Sequence, residues 1–187
     1  MVKIKYIMNE TLERKKIRVY GKTHRKLHIN ECLEELNRVF LPQIIEADLL
    51  DALKTFDFIK DFRDIERPYT IKSTVDFNKK EQFLDAFVNI NMLDCPFYVD
   101  ASCCGVCGLL YIKSIKEFNI NFKWNDEQRN MIEFIEPDKS IQILLDYYEE
   151  YYEGSDWRLL DIIIRINKKK IYDVLQVQVN NIFKKQN

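Results

Sequence analysis

Glycine and proline are scarce in this 187-residue chain, with four of each, and histidine occurs only twice. So few breakers argue against a long linker or a low-complexity domain. No apolar run approaches the roughly 20 residues that cross a bilayer, so no membrane association is expected. The sequence has no GxxxxGK phosphate loop, dinucleotide fingerprint, HExxH zinc-hydrolase motif or serine-nucleophile motif. Those absences lower the expectation of an enzyme. The opening MVKIKYIMNE is broken by charge too often for a signal-peptide core, which makes the cytoplasm the expected compartment.

What is present is a 47% apolar composition, enough for one core without staples. The reading is a single compact α+β domain over 1–187, a mainly antiparallel sheet packed by several helices, with a small cysteine-containing loop subregion at 94–108. The net charge of −1 conceals an asymmetry. Residues 1–28 carry +7, residues 165–187 carry +5, and the body between them carries −13. Basic ends that met in space would offer nucleic acid a positive patch, while the acidic body discourages broad wrapping.

Four of the five cysteines, Cys95, Cys103, Cys104 and Cys107, crowd into CPFYVDASCCGVCG. They are the candidate ligands for Zn2+, with Gly105 and Gly108 letting the chain turn, although only Cys104 and Cys107 have the spacing of a zinc knuckle. No cofactor is favoured. The same pair has the spacing of a redox site, but no positive charge stands between its members to activate a thiol. Buried, incidental thiols are the plainest reading. His24 and His28 share a helical face with no carboxylate or cysteine between them, which suits surface or hydrogen-bonding roles. His24, Asp100, Cys103 and Asp126 could serve an enzyme only if folding gathered them into one cleft.

Along the chain, VKIKYIM and KKIRVYG read as an antiparallel pair of strands. Asn30 is placed to cap a helix over ECLEELNRVF, and a second helix is expected through QIIEADLLDALKTF after Pro42. YTIKSTVDF reads as a strand, followed by a helix with Asn78 and Glu81 at capping-box spacing and Phe83, Leu84, Phe87 and Val88 on its apolar side. GLLYIKSI, EFNINFKW and NMIEFIE are further strand candidates. DKSIQILLDYYEEYYEG reads as a helix started by Asp138, ended by Gly154 and anchored through Ile141, Leu144, Leu145, Tyr148 and Tyr152. DIIIRIN and KIYDVLQVQV suggest a terminal hairpin, and Trp157 a core anchor.

The helical reading of 138–154 carries the functional expectation. Asp146, Glu149, Glu150 and Glu153 would form an acidic stripe beside Tyr147 and Tyr151. Charge would guide association with a positive protein surface, and the tyrosines would add amphipathic contact area. The sequence therefore suggests a protein-binding module, inhibitory or antitoxin-like, whose partner is basic. The competing readings are a cysteine-dependent redox enzyme and a structural-zinc protein that binds protein or nucleic acid.

Overall fold

The computed structural model describes residues 11–101, 104–124, 131–152 and 154–184. It is an α+β domain built on one antiparallel sheet. The strands are β1 (Tyr69–Asp76), β2 (Phe97–Asp100), β3 (Leu110–Ile112), β4 (Met131–Ile135), β5 (Ile141–Tyr152) and β6 (Ser155–Ile166), and they lie in the order β1-β6-β5-β4-β2-β3. The helices are α1 (Leu12–Val39), α2 (Ala52–Arg63), α3 (Lys80–Val88), the single turn α4 (Cys104–Cys107) and α5 (Lys169–Lys184).

Alternation assigns the faces. Ile141, Ile143, Leu145 and Tyr147 of β5 are buried on one face with Leu160, Ile162, Ile164 and Ile166 of β6, and both rows join one hydrophobic core. Helices α3 and α5 cover that face. Phe83 of α3 meets Phe183 of α5 with ring centroids 4.5 Å apart, and Tyr172 of α5 meets Tyr69 of β1 at 5.4 Å. On the opposite face α2 lies near β2, where Phe58 packs edge-on against Tyr98 at 4.6 Å.

The β3 edge is closed by the segment after α1. Leu49 bridges Leu110, and the Leu50 N–H donates to the Leu109 carbonyl at 2.8 Å. That cover blunts an edge which would otherwise offer unpaired backbone groups. Gly108 at φ +106° makes the approach feasible, because a Cβ there would fall 1.9 Å from the Leu50 carbonyl oxygen.

Several local expectations change. KKIRVYG is not a strand but the first turns of α1, which starts at the Thr11 cap and runs without interruption through Asn30. The VKIKYIM strand lies outside the described residues. QIIEADLLDALKTF holds a short 3-10 turn at Glu46–Asp48 and then extended chain, and α2 begins only where the Asp51 carboxylate accepts from the Leu53 and Lys54 amides. Asn78 and Glu81 form no capping box; the Asp76 side chain caps the preceding 3-10 turn instead. EFNINFKW follows on a 3-10 turn at Ile115–Glu117 and makes a single bridge at Phe118 rather than a strand. KIYDVLQVQV is helix, with Leu175 and Val179 buried one turn apart. Most consequentially, 141–152 is a strand and not a helix, paired with β6 at every residue from Ile141 to Tyr152.

Candidate functional site

Among the described residues, the last rungs of the β5–β6 hairpin extend past the strands on either side. On one side the described strand β4 pairs with β5 from Gln142 to Asp146, and on the other β1 pairs with β6 as far as Leu159. Four rungs remain, Glu149 with Arg158, Glu150 with Trp157, Tyr151 with Asp156 and Tyr152 with Ser155, and among the described residues they have no third strand. At about 3.4 Å per residue this is an arm of roughly 13 Å. Gly154, at φ +82°, lies in the turn at its tip.

The arm explains where the sequence-derived acidic stripe goes. Strand alternation splits it: Tyr147, Glu149 and Tyr151 point to one side, Asp146 and Glu150 to the other. Tyr147 is only 4% exposed and packs on Phe77 at 4.6 Å, so it belongs to the core. Asp146 is half-buried opposite Asp161; burial, and then the Asp161 charge, raise its carboxyl above the ordinary value. Glu149, Glu150 and Tyr151 do come together on the exposed arm, and Glu153 lies outside the described residues.

Trp157 corrects the expectation of a core anchor. It is 52% exposed, directly across from Glu150, while Tyr151 on the other face is 76% exposed. Asp156 and Arg158 complete the arm, and the Arg158 guanidinium lies 3.0 Å from Glu149. The signal for this arrangement is present in the sequence: polar turn residues around Gly154 sit between two alternating segments.

The cysteine group divides in two. Cys104 and Cys107 are buried in α4, beside Cys32 of α1, which hydrogen bonds with Cys107. Cys95 precedes β2, with Sγ 3.9 Å from the Met92 carbonyl and 3.9 Å from Glu136 Oε1. The whole of β2 separates it from α4, and its four residues extend about 13 Å, whereas thiolates sharing a zinc lie each about 2.3 Å from the ion. Cys103 lies outside the described residues. Among the described residues no group of three or more His, Cys, Asp or Glu side chains is arranged to hold a metal ion. Burial first, and then the Glu136 charge, push the Cys95 thiol up to about 12, and burial also raises Cys107.

A second feature is a cavity of about 610 Å³ between α1, α2, α4 and the sheet. His24 and Asp100, two of the four residues considered as dispersed catalytic groups, both line it; Asp126 and Cys103 lie outside the described residues. Asp100 on β2 and Glu133 on β4 are direct cross-strand partners, so their side chains leave the sheet on the same face. Burial raises the Glu133 carboxyl above its ordinary value, opposed by a hydrogen bond donated by Gln142 and by the charges of Arg165, Arg67 and Arg63.

His28, by contrast, stacks beside His24 on α1 at 6.3 Å and places Nδ1 3.4 Å from Glu31, a solvated pairing away from other ligating groups. Among the described residues no helix is long and apolar enough to cross a membrane. Comparison of the chain with protein-family models, with curated proteins and with solved structures gives no match.

Proposed function

We propose that this chain is a protein-binding module that docks its β5–β6 arm on a basic partner surface, consistent with an inhibitory role where that surface is the partner's own working face. The observation that carries the reading is the arm itself: four rungs with no third strand among the described residues, with Trp157 and Tyr151 exposed on opposite faces among Glu149, Glu150 and Asp156. Large aromatic side chains supply contact area at low entropy cost and are favoured interface anchors. The carboxylates add attraction at a distance and a salt-sensitive association rate. Beyond its pairing with β1 at Leu159, the β6 edge of the arm also carries backbone groups on which a partner strand could pair.

The test is retention of partner proteins by the immobilised full chain, compared with Trp157→Ala, Tyr151→Ala and Glu149→Lys/Glu150→Lys forms across a salt series. The expected result is a partner whose capture falls with each aromatic change and with added salt. Capture indifferent to all three variants rejects the arm as the docking element.

A further inference from the structure

Helix α1 has two unlike sides. On one, Gly21 lies against Ala52 of α2, flanked by Arg14 on Asp57 and Arg25 on Glu46. The side turned away from α2 carries two adjacent rows at helical spacing, one of Lys15, Val19, Lys22 and Lys26, the other of Lys16, Tyr20, Thr23 and Leu27. All eight side chains are exposed, and Val19, Tyr20 and Leu27 each leave more than half of their surface to solvent. The four lysines enter no ion pair among the described residues, whereas Arg14 and Arg25 are engaged on the packed side. Large apolar side chains among unpaired lysines gain most from a cover that is itself both apolar and acidic.

We propose that this face of α1 receives the β5–β6 arm of a second copy of the chain, an inference that rests on the arm being the docking element. The Trp157 and Glu150 face of the arm is the one laid down. Those two residues are direct cross-strand partners, so a carboxylate stands beside an exposed indole, as Lys22 and Lys26 stand beside Val19 and Leu27. On the arm's other face Arg158 already answers Glu149. The indole covers the apolar side chains, Glu150 meets the lysines, and an ammonium group gains further from an aromatic face. The lengths also agree, since Val19 to Leu27 rises about 12 Å along a helix and the arm extends about 13 Å. A nucleic acid would engage the lysines but set phosphates against Val19 and Leu27. An anionic lipid surface would draw Lys16 and Thr23 towards its apolar layer together with Tyr20 and Leu27.

A contact between two different patches closes as a reciprocal pair or continues as a chain, and in either case arm and face can be disabled separately. The experiment is sedimentation equilibrium of the purified full chain over a concentration and salt series, beside a face variant, Lys22→Glu/Lys26→Glu, and an arm variant, Glu150→Gln/Trp157→Ala. All four positions are exposed, so neither variant removes a core contact. The expected result is a mass that rises above that of one chain with concentration and falls back with salt. Each variant alone associates more weakly by about tenfold or more. Their equimolar mixture, which brings an intact arm to an intact face, associates again as a one-to-one complex. A chain that is monomeric at every concentration overturns the inference, and arm-dependent capture of a different protein would then still stand. Association untouched by either variant, or a mixture that associates no better than its parts, overturns it as well. Retention on duplex DNA or on phosphatidylserine vesicles by a chain that stays monomeric, lost in the face variant, assigns the α1 face to that partner instead.

Discussion

A Cβ built on Gly21 of α1 would lie 2.1 Å from the Cβ of Ala52 at the start of α2, so the two helices touch where one of them has no side chain. Flanking contacts hold the crossing: Arg14 forms a two-pronged pair with Asp57 at 2.6 and 2.8 Å, and Arg25 donates to the Glu46 and Leu50 carbonyls. Gly21→Ala would gain about 1 kcal/mol of helix propensity. Overpacking of a tight contact typically costs about 1–3 kcal/mol, and it should prevail. The expected outcome is a lower unfolding temperature for Gly21→Ala and little change for Gly105→Ala, which enters open space. Equal stability for the two variants would show that α1 slides freely on α2.

Asp161 is a charged group inside the sheet, 5% exposed, that accepts from the Thr74 hydroxyl at 2.6 Å and the Tyr148 hydroxyl at 3.3 Å and pairs with Lys72 at 2.6 Å. Asp161→Ala leaves both hydroxyls without that acceptor, a loss of about 1–3 kcal/mol in chemical denaturation. Asp161→Asn keeps an acceptor and should lose less. The same change removes the charge that helps raise Asp146, whose carboxyl should titrate lower in the alanine variant. An NMR titration of Asp146 that does not move would separate the two aspartates electrostatically.

How far the fold is readable from sequence depends on whether one periodicity excludes the other. Tyr69–Asp76 and Met131–Ile135 are short, alternating and rich in β-branched or aromatic residues, which suits only a strand. In 141–152, Ile141, Leu144, Leu145 and Tyr148 satisfy a helical repeat while Ile141, Ile143, Leu145 and Tyr147 satisfy a strand repeat. Hairpin pairing with β6 along the full length, and with β4 from Gln142 to Asp146, favours the second. The reverse holds at the C-terminal end, where Val174, Val177 and Val179 suggest a strand but Leu175 and Val179 fit one buried helical side. The first half of α1 escapes pattern reading because it meets α2 through Gly21 and through charged side chains while Leu12, Val19, Tyr20 and Leu27 stay exposed, so no apolar stripe marks it. The acidic and aromatic composition of the β5–β6 arm is legible in the sequence, its strand geometry is not, and Trp157 departs from a core position because an exposed arm lets a large aromatic remain outside the core.

The thiols should be slow to react. Cys104 and Cys107 are buried, and both Cys95 and Cys107 are held above the ordinary thiol value, chiefly by burial. Since the thiolate is the nucleophile, mass-resolved alkylation at neutral pH should label Cys95 and Cys107 far more slowly in the folded chain than in denaturant. Fast labelling of either one in the native protein would restore activated thiol chemistry as a reading of the cysteine group.

Stability should fall as rising pH takes the proton from Glu136. Burial, and then hydrogen bonding and repulsion from Asp138, push Glu136 up to about 7, whereas a solvated glutamate titrates near 4.5. Its partner moves the other way: burial opposes the change, but hydrogen bonds from Glu136, Ser140 and Lys168 hold Asp138 well below the usual carboxylate range. Between about pH 4.5 and 7 the folded chain therefore keeps a proton on Glu136 that the unfolded chain has lost. The contribution is fully present below the unfolded value and lost as pH rises through the folded value. Asp138 is ionised in both states across that window and adds no slope there. Glu136→Gln mimics the protonated group, so it should leave stability near pH 4.5 almost unchanged, raise it at pH 8, and flatten the slope between. Urea denaturation of both forms at these pH values checks this, and parallel slopes would mean that Glu136 ionises alike in the folded and unfolded chain.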